Sequence, residues 1–181
     1  TGLVVVFILD GIEALAPVAD ADTLNYHFET PRLFLKAGEI VPQLRAVDGV
    51  TPALLHMTYA ASLSLGGAGA AKIWTWVTGW MLIAAFGAIM ATKAKRYWAL
   101  AGMLILSSMP AFVYSSGAGH VEPRLALFAL IAVFALTRVI AQRSDAMAYA
   151  VVAGLAAGFF VGAKMTGLLF VFAMGLVLLV Y

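Results

Sequence analysis

The sequence predicts an all-α, polytopic transmembrane helical bundle. The chain is 64% hydrophobic and only 11% charged, whereas a soluble domain carries about 25% charged residues. Its apolar runs are long and hydrophobic on all sides, a pattern typical of helices that cross a membrane. A soluble fold of this size could not cover so much apolar surface, because a large fraction of its surface would stay in water.

Six apolar segments follow one another along the chain, each close to the roughly 20 residues that cross a bilayer. We expect them at about residues 1–16, 70–90, 97–114, 123–141, 146–163 and 165–181, with a long loop at 17–69. The chain begins and ends inside apolar runs. We therefore expect a partial N-terminal transmembrane domain, that is, a fragment of a longer protein.

The last two segments are separated at a single charge. Lys164 is the only charged residue from 146 to 181, a stretch nearly twice the length that one span needs. A charge at the bilayer centre costs at least about 2.5 kcal/mol. Two helices that meet at Lys164 place this charge at the membrane surface instead.

The basic residues predict the orientation of the bundle. Lys93, Lys95 and Arg96 follow the second segment, and Arg138 and Arg143 follow the fourth. Cytoplasmic loops carry the excess of Lys and Arg, so the other loops should share the outer face. The outer segments should contain, among other ionisable residues, Asp20, Asp22, His27, Glu29, Arg32, His56, His120, Glu122, Arg124 and Lys164.

Two helices are predicted inside the long loop. The first lies within 22–38, where Pro31 should kink or divide it and Gly38 should end it. The second lies within 51–67, with Thr51 as N-cap and Pro52 at the first helical position.

We expect the second of these loop helices to end at Gly66 and Gly67. Both loop helices should lie in the membrane interface, with their apolar and aromatic faces among the lipid headgroups.

Asp22 is the first candidate for a chemical role. It lies four residues before Tyr26, so the two share one face of a helix. Asp22 could instead act only as an N-cap. Asp20 is expected to be a plain solvated loop charge.

Two further candidates lie in other outer segments. Glu122 precedes Pro123 at a helix start, where the helix dipole favours a carboxylate; with His120 it would form an incomplete metal site. Lys164 is a functional candidate by default as an isolated charge, or an anchor whose amine reaches the membrane surface. A carboxylate can act as a general base and a cation can neutralise a phosphate leaving group.

Three motifs in this order resemble the GT-C glycosyltransferases, in particular protein mannosyltransferase-like enzymes and the bacterial lipid A aminoarabinose transferase. These are "DADTLNYH" with a glycine at 38 in the first outer loop, "YSSGAGHVEP" before the fourth segment, and "GLAAGFFVGAK" ending at Lys164. The resemblance covers nearly the whole chain. Thr23, Glu122 and Met165 stand where the family often has Glu, Asp and Gly.

The resemblance implies a GT-C-like bundle that transfers a sugar, with inversion, from a polyprenyl-phosphate donor to a lipid, glycan or protein acceptor. Asp22 would be the general base. Lys164, with Arg32, would bind the lipid phosphate. Glu122, His120 and Tyr26, with the neighbouring His27, would bind and position substrate.

The resemblance also implies an integral protein of a bacterial inner membrane, with its site facing the periplasm or exterior. It implies no cofactor and no catalytic metal, although related enzymes use a metal through a carboxylate pair, which leaves Asp20 and Asp22 open as ligands. The net charge of +2 and the lack of a basic patch argue against nucleic acid. Two other readings remain: a multi-pass lipid or solute transporter, and a non-catalytic membrane subunit.

Overall fold

The fold is all-α, as predicted. The computed structural model describes residues 2–41, 52–141 and 144–180, and no strand occurs among them. A short π-helical turn, Thr23–His27, lies between the first two α-helices. The helices are α1 Gly2–Leu15, α2 Glu29–Ala37, α3 Leu54–Ala91, α4 Arg96–Ser107, α5 Pro110–Gly117, α6 Glu122–Ile140, α7 Ala146–Ala163 and α8 Thr166–Val180.

Three of these helices, α3, α6 and α7, are long and apolar enough to cross a membrane. The bent pair α4 and α5 would add a fourth span, and α8 is a shorter apolar helix. Helix α6 packs against both α7 and α3, and α1 packs on α3. These lengths and compositions suit insertion in a membrane.

The predicted third segment, 97–114, is not one straight helix. Helices α4 and α5 meet at a 68° bend. Pro110 begins α5, and Met109 before it is extended, with φ −66° and ψ 132°. Proline lacks a backbone N–H and disfavours the α conformation in the residue before it, which breaks the span at this point.

The predicted second segment begins earlier than residue 70. Helix α3 starts at Leu54, and its backbone leaves helical geometry only at Gly66 and Gly67. The second loop helix and the membrane span are therefore joined through a kink at the predicted boundary. The predicted placing of Pro52 inside the helix is wrong because Ala53 is the N-cap; Thr51 lies outside the described residues.

The first loop helix divides at Phe28 and not at Pro31. Pro31 lies in the first turn of α2, where its missing N–H would have no intrahelical partner. Gly38 ends α2 in the left-handed conformation, at φ 75°, which confirms the predicted stop.

The aromatic faces of the loop helices turn into the protein, so their predicted position among lipid headgroups is wrong for these residues. Phe28 and Tyr59 are fully buried and Phe34 nearly so. Phe28 packs with Tyr59 and Leu55 in one apolar cluster. The segment around Phe28 is thereby fixed to the start of α3, because its large aromatic side chain is buried in this contact.

The charged ends of the bundle separate along its helices. Lys93 and Lys95 follow the end of α3. Lys72, inside the same helix, lies about 30 Å closer to its start, at 1.5 Å per residue. Arg138 lies in the last turn of α6, whereas Glu122 begins it. Arg143 lies outside the described residues. The end of the bundle that carries Glu122 is called the outer end below.

Candidate functional site

Four ionisable side chains from three separate segments meet at the outer end. They are Asp20, His120, Glu122 and Lys164, called the outer cluster below. Asp20 Oδ1 lies 3.3 Å from His120 Nε2, and Glu122 Oε2 lies 3.7 Å from His120 Nδ1. Lys164 Nζ donates to Glu122 Oε1 at 3.0 Å. Side chains from the three segments that the sequence predicted to share one face therefore lie in contact.

Lys164 reaches the cluster from the break between α7 and α8. It is the C-cap of α7 and is extended, with φ −156° and ψ 139°. Gly167 packs so closely on the backbone of Val161 that an added Cβ would lie 2.6 Å from the Val161 nitrogen. The tight turn between the two helices therefore fixes the lysine at their junction.

A buried hydrogen-bond network holds the segment that carries His120. Gly119 N donates to Thr23 Oγ1 at 3.0 Å, and the Tyr59 hydroxyl donates to the Gly119 carbonyl at 2.5 Å. Arg124 Nη2 donates to the His120 carbonyl at 3.0 Å and also to the Tyr59 hydroxyl. The backbone on either side of the His120 ring is thus fixed by three different elements.

Asp20 is not a solvated loop charge, contrary to the prediction. Its Oδ1 accepts a hydrogen bond from Thr23 N at 2.7 Å, and its side chain is 11% exposed. Asp20 thereby caps the π-helical turn. Asp22, for which a role as N-cap was the predicted alternative, makes no capping hydrogen bond with its side chain.

Asp22 is exposed at the start of the π-helical turn. Its charge reaches the outer cluster, because Asp22 contributes to the raised pKa of His120. The largest cause of that rise is the hydrogen-bonding contact with Glu122, and Asp20 adds to it. The environment of His120 is therefore strongly anionic.

His27 lies directly beside the cluster. It is 1% exposed, and neither ring nitrogen has a hydrogen-bond partner among the described residues. Burial, followed by the nearby His56, lowers its pKa to about 3. Its ring lies 3.9 Å from that of Tyr26, 5.7 Å from His56 and 5.8 Å from His120, between centroids. His27 is therefore a neutral imidazole with two unused polar atoms.

One group of side chains has the residue types and spacing of metal ligands. One ligand atom from each of His27, His120 and Glu122 lies within 4.8 Å of the other two.

Arg32 does not join the outer cluster through any contact in the described part of the chain. It lies in α2, and its Nη1 is 3.7 Å from Glu29 Oε2 of the same helix. The predicted cooperation of Arg32 with Lys164 therefore has no direct contact behind it.

Sequence reasoning missed two buried polar groups that join α1 to its neighbours. Asp10, 1% exposed, accepts from Trp80 Nε1 at 2.7 Å and from Ser116 Oγ at 2.8 Å. Lys72 Nζ donates to the carbonyls of Glu13 and Ala16, at 2.8 and 2.7 Å, where α1 ends. A charge inside an apolar run was the available signal for both.

Two openings adjoin the outer cluster. An apolar groove of about 240 Å³ is lined by residues of α3, α4, α5 and α6, among them Leu82, Phe112 and Glu122. A more polar pocket of about 400 Å³ lies beside Asp20 and includes Lys72 and Tyr114. The outer cluster thus borders an apolar cavity at Glu122 and a more polar one at Asp20, which suit an apolar chain and a polar group respectively.

Comparison with known proteins identifies no relative: no family model, no curated protein and no solved structure matches this chain. Function therefore has to be argued from the geometry of the outer cluster.

Proposed function

We propose that the protein is a membrane glycosyltransferase that moves a sugar, with inversion, from a polyprenyl-phosphate donor to an acceptor hydroxyl or amine at the outer face. The observation that carries the proposal is the contact of Lys164 with Glu122, a residue that also lines an apolar groove. A lipid-linked phosphosugar needs the same combination: apolar wall for the chain, a cation for the phosphate and carboxylates for the sugar hydroxyls.

The cation is available to a ligand. Lys164 and Glu122 side chains are 42% and 46% exposed, so the lysine can contact a phosphate oxygen while it stays near its partner. As the bond from the sugar C1 to the phosphate oxygen breaks, negative charge develops on the leaving phosphate. A fixed ammonium group at that position stabilises the transition state more than the ground state.

Asp22 is the proposed general base. Its carboxylate is exposed at the mouth of the cluster, and no hydrogen bond caps the turn with it. It would accept the proton of the acceptor as the acceptor atom attacks C1, on the face opposite the phosphate. His120, Glu122 and Tyr26 would bind and orient the sugar in this arrangement, with the buried His27 packed against the rings of Tyr26 and His120.

The test is transfer from a radiolabelled polyprenyl-phosphate sugar in proteoliposomes, with the Asp22→Asn variant of the protein. A general base contributes about 10²–10⁴-fold, so turnover should fall by at least about 100-fold while donor binding is kept. Asp145→Asn is the matched control, because Asp145 precedes α7 at the opposite end. Equal turnover in Asp22→Asn and wild type would overturn the proposal.

A further inference from the structure

His27 is the polar side chain whose burial most needs an explanation. A buried polar group without a hydrogen bond costs about 1–3 kcal/mol. His27 has two such atoms and is 1% exposed. An imidazole whose nitrogens have no hydrogen-bond partner among the described residues, next to a second imidazole and a carboxylate, has the donor set that transition metals prefer.

We propose that His27, His120 and Glu122 bind a divalent transition-metal ion of the zinc type. Two histidines and one glutamate are a known zinc donor set that leaves a fourth position for water or a ligand oxygen. This inference does not rest on the proposed function, because it concerns metal binding alone.

The distances suit closure around an ion. The three ligand atoms lie within 4.8 Å of one another. Two ligand atoms of a tetrahedral zinc ion lie roughly 3.3 Å apart, given bonds of about 2.0–2.2 Å. A closure of about 1.5 Å is within reach of side-chain rotation, because the Glu122 side chain is 46% exposed.

The surroundings of His120 supply the second shell of such a site. Metal-ligating histidines usually direct their other ring nitrogen at a carboxylate or carbonyl. His120 Nδ1 faces Glu122. Its Nε2 lies 3.3 Å from Asp20 Oδ1, although this contact is not aligned as a hydrogen bond. Asp20 would thereby orient the ring.

Lys164 and the metal can share Glu122. Lys164 contacts Oε1, whereas the oxygen nearer to His120 is Oε2. The repulsion between the ammonium group and the ion is offset by the carboxylate of Asp20, whose Oδ1 lies 3.3 Å from His120 Nε2. The metal would join the π-helical turn of the first outer loop to the start of α6.

The experiment uses the purified full chain in detergent, stripped with a chelator and titrated with Zn²⁺, with bound metal measured by mass spectrometry after gel filtration. Wild type should bind about one Zn²⁺ per chain, and its melting temperature should rise on binding, since an ion that binds only the folded state stabilises it. His27→Gln and Glu122→Gln should each weaken binding at least 10-fold.

His56→Gln is the matched control, since His56 is a buried histidine that stacks on His27 but lies outside the ligand group. This variant should bind Zn²⁺ as wild type does. Failure of wild type to bind Zn²⁺, or binding by both ligand variants as tight as wild type, would overturn the inference. If His27→Gln does not fold, Glu122→Gln decides, because Glu122 is half exposed and its loss leaves the core intact.

Discussion

Lys164 and Glu122, 42 residues apart in the chain, form an ion pair of 3.0 Å that joins the break between α7 and α8 to the first turn of α6. Each residue has a local reason for its position: the lysine ends an apolar helix, and the glutamate begins one. Their contact brings together two segments that carry the resemblance to glycosyltransferases. Substitutions at this pair therefore distinguish a structural role of the two side chains from a role in substrate binding.

Replacing Lys164 with Met should weaken donor binding and slow sugar transfer while the fold is kept. Exposed ion pairs contribute about 0.2–1 kcal/mol to stability, so the melting temperature should change little. Loss of the cation should raise KM for a polyprenyl-phosphate donor at least 10-fold, and Lys164→Arg should restore most of it. The measurement is initial rate against donor concentration, with Lys93→Met as the control at the opposite end of the bundle.

A contrary result is easy to recognise. If Lys164 served only as an anchor at the membrane surface, Lys164→Met would lower stability and leave KM unchanged.

Gly119→Ala should destabilise the protein by about 1–3 kcal/mol, the usual cost of overpacking. A Cβ at Gly119 would clash with the Thr23 side chain and lie 2.8 Å from Phe28. Gly158→Ala is the control, because a Cβ there meets no atom of the described residues within 4 Å. Thermal unfolding in detergent should show a lower transition for the first variant alone; equal transitions would mean that this loop packs differently.

Gly67→Ala should cost about 1–3 kcal/mol through backbone strain. Gly67 has φ 65° and ψ −158° at the kink of α3, a conformation almost restricted to glycine. Gly69 lies two residues on inside the helix, with open space around it, so Gly69→Ala should be neutral or stabilising. Chemical denaturation of both variants compares them directly, and equal stability would show that the kink can straighten freely.

Tyr59→Phe should cost about 1–3 kcal/mol, because it leaves buried partners of the hydroxyl without their hydrogen bond. Those partners are the Gly119 carbonyl, the Thr75 hydroxyl and the Arg124 guanidinium. Tyr97→Phe, at an exposed tyrosine of α4, should have no effect. The free energies of unfolding of the two variants give the comparison; a neutral Tyr59→Phe would contradict the network described above.

Local pattern alone predicted several features that the structure bears out. Composition and apolar runs predicted the all-α class, because each such run can satisfy its backbone only as a helix in an apolar surrounding. Gly38 ends α2 and Gly67 lies at the kink of α3, both with positive φ, because glycine is the residue that adopts such conformations freely. Pro110 carried an equally clear signal for the break between α4 and α5, which hydropathy alone overlooked.

The sequence by itself determined that this chain forms apolar helices of membrane-spanning length, and that Glu122 and Lys164 lie at helix ends, because charge inside an apolar segment must reach a polar surface. Only the tertiary structure decided which polar groups meet. Asp20 lies beside His120, and His27 is buried with no hydrogen-bond partner in the described part of the chain. The segments that carry these residues are joined by a hydrogen bond between Thr23 and Gly119, 96 residues apart. Contacts of that separation depend on how whole helices pack, and no local pattern encodes them.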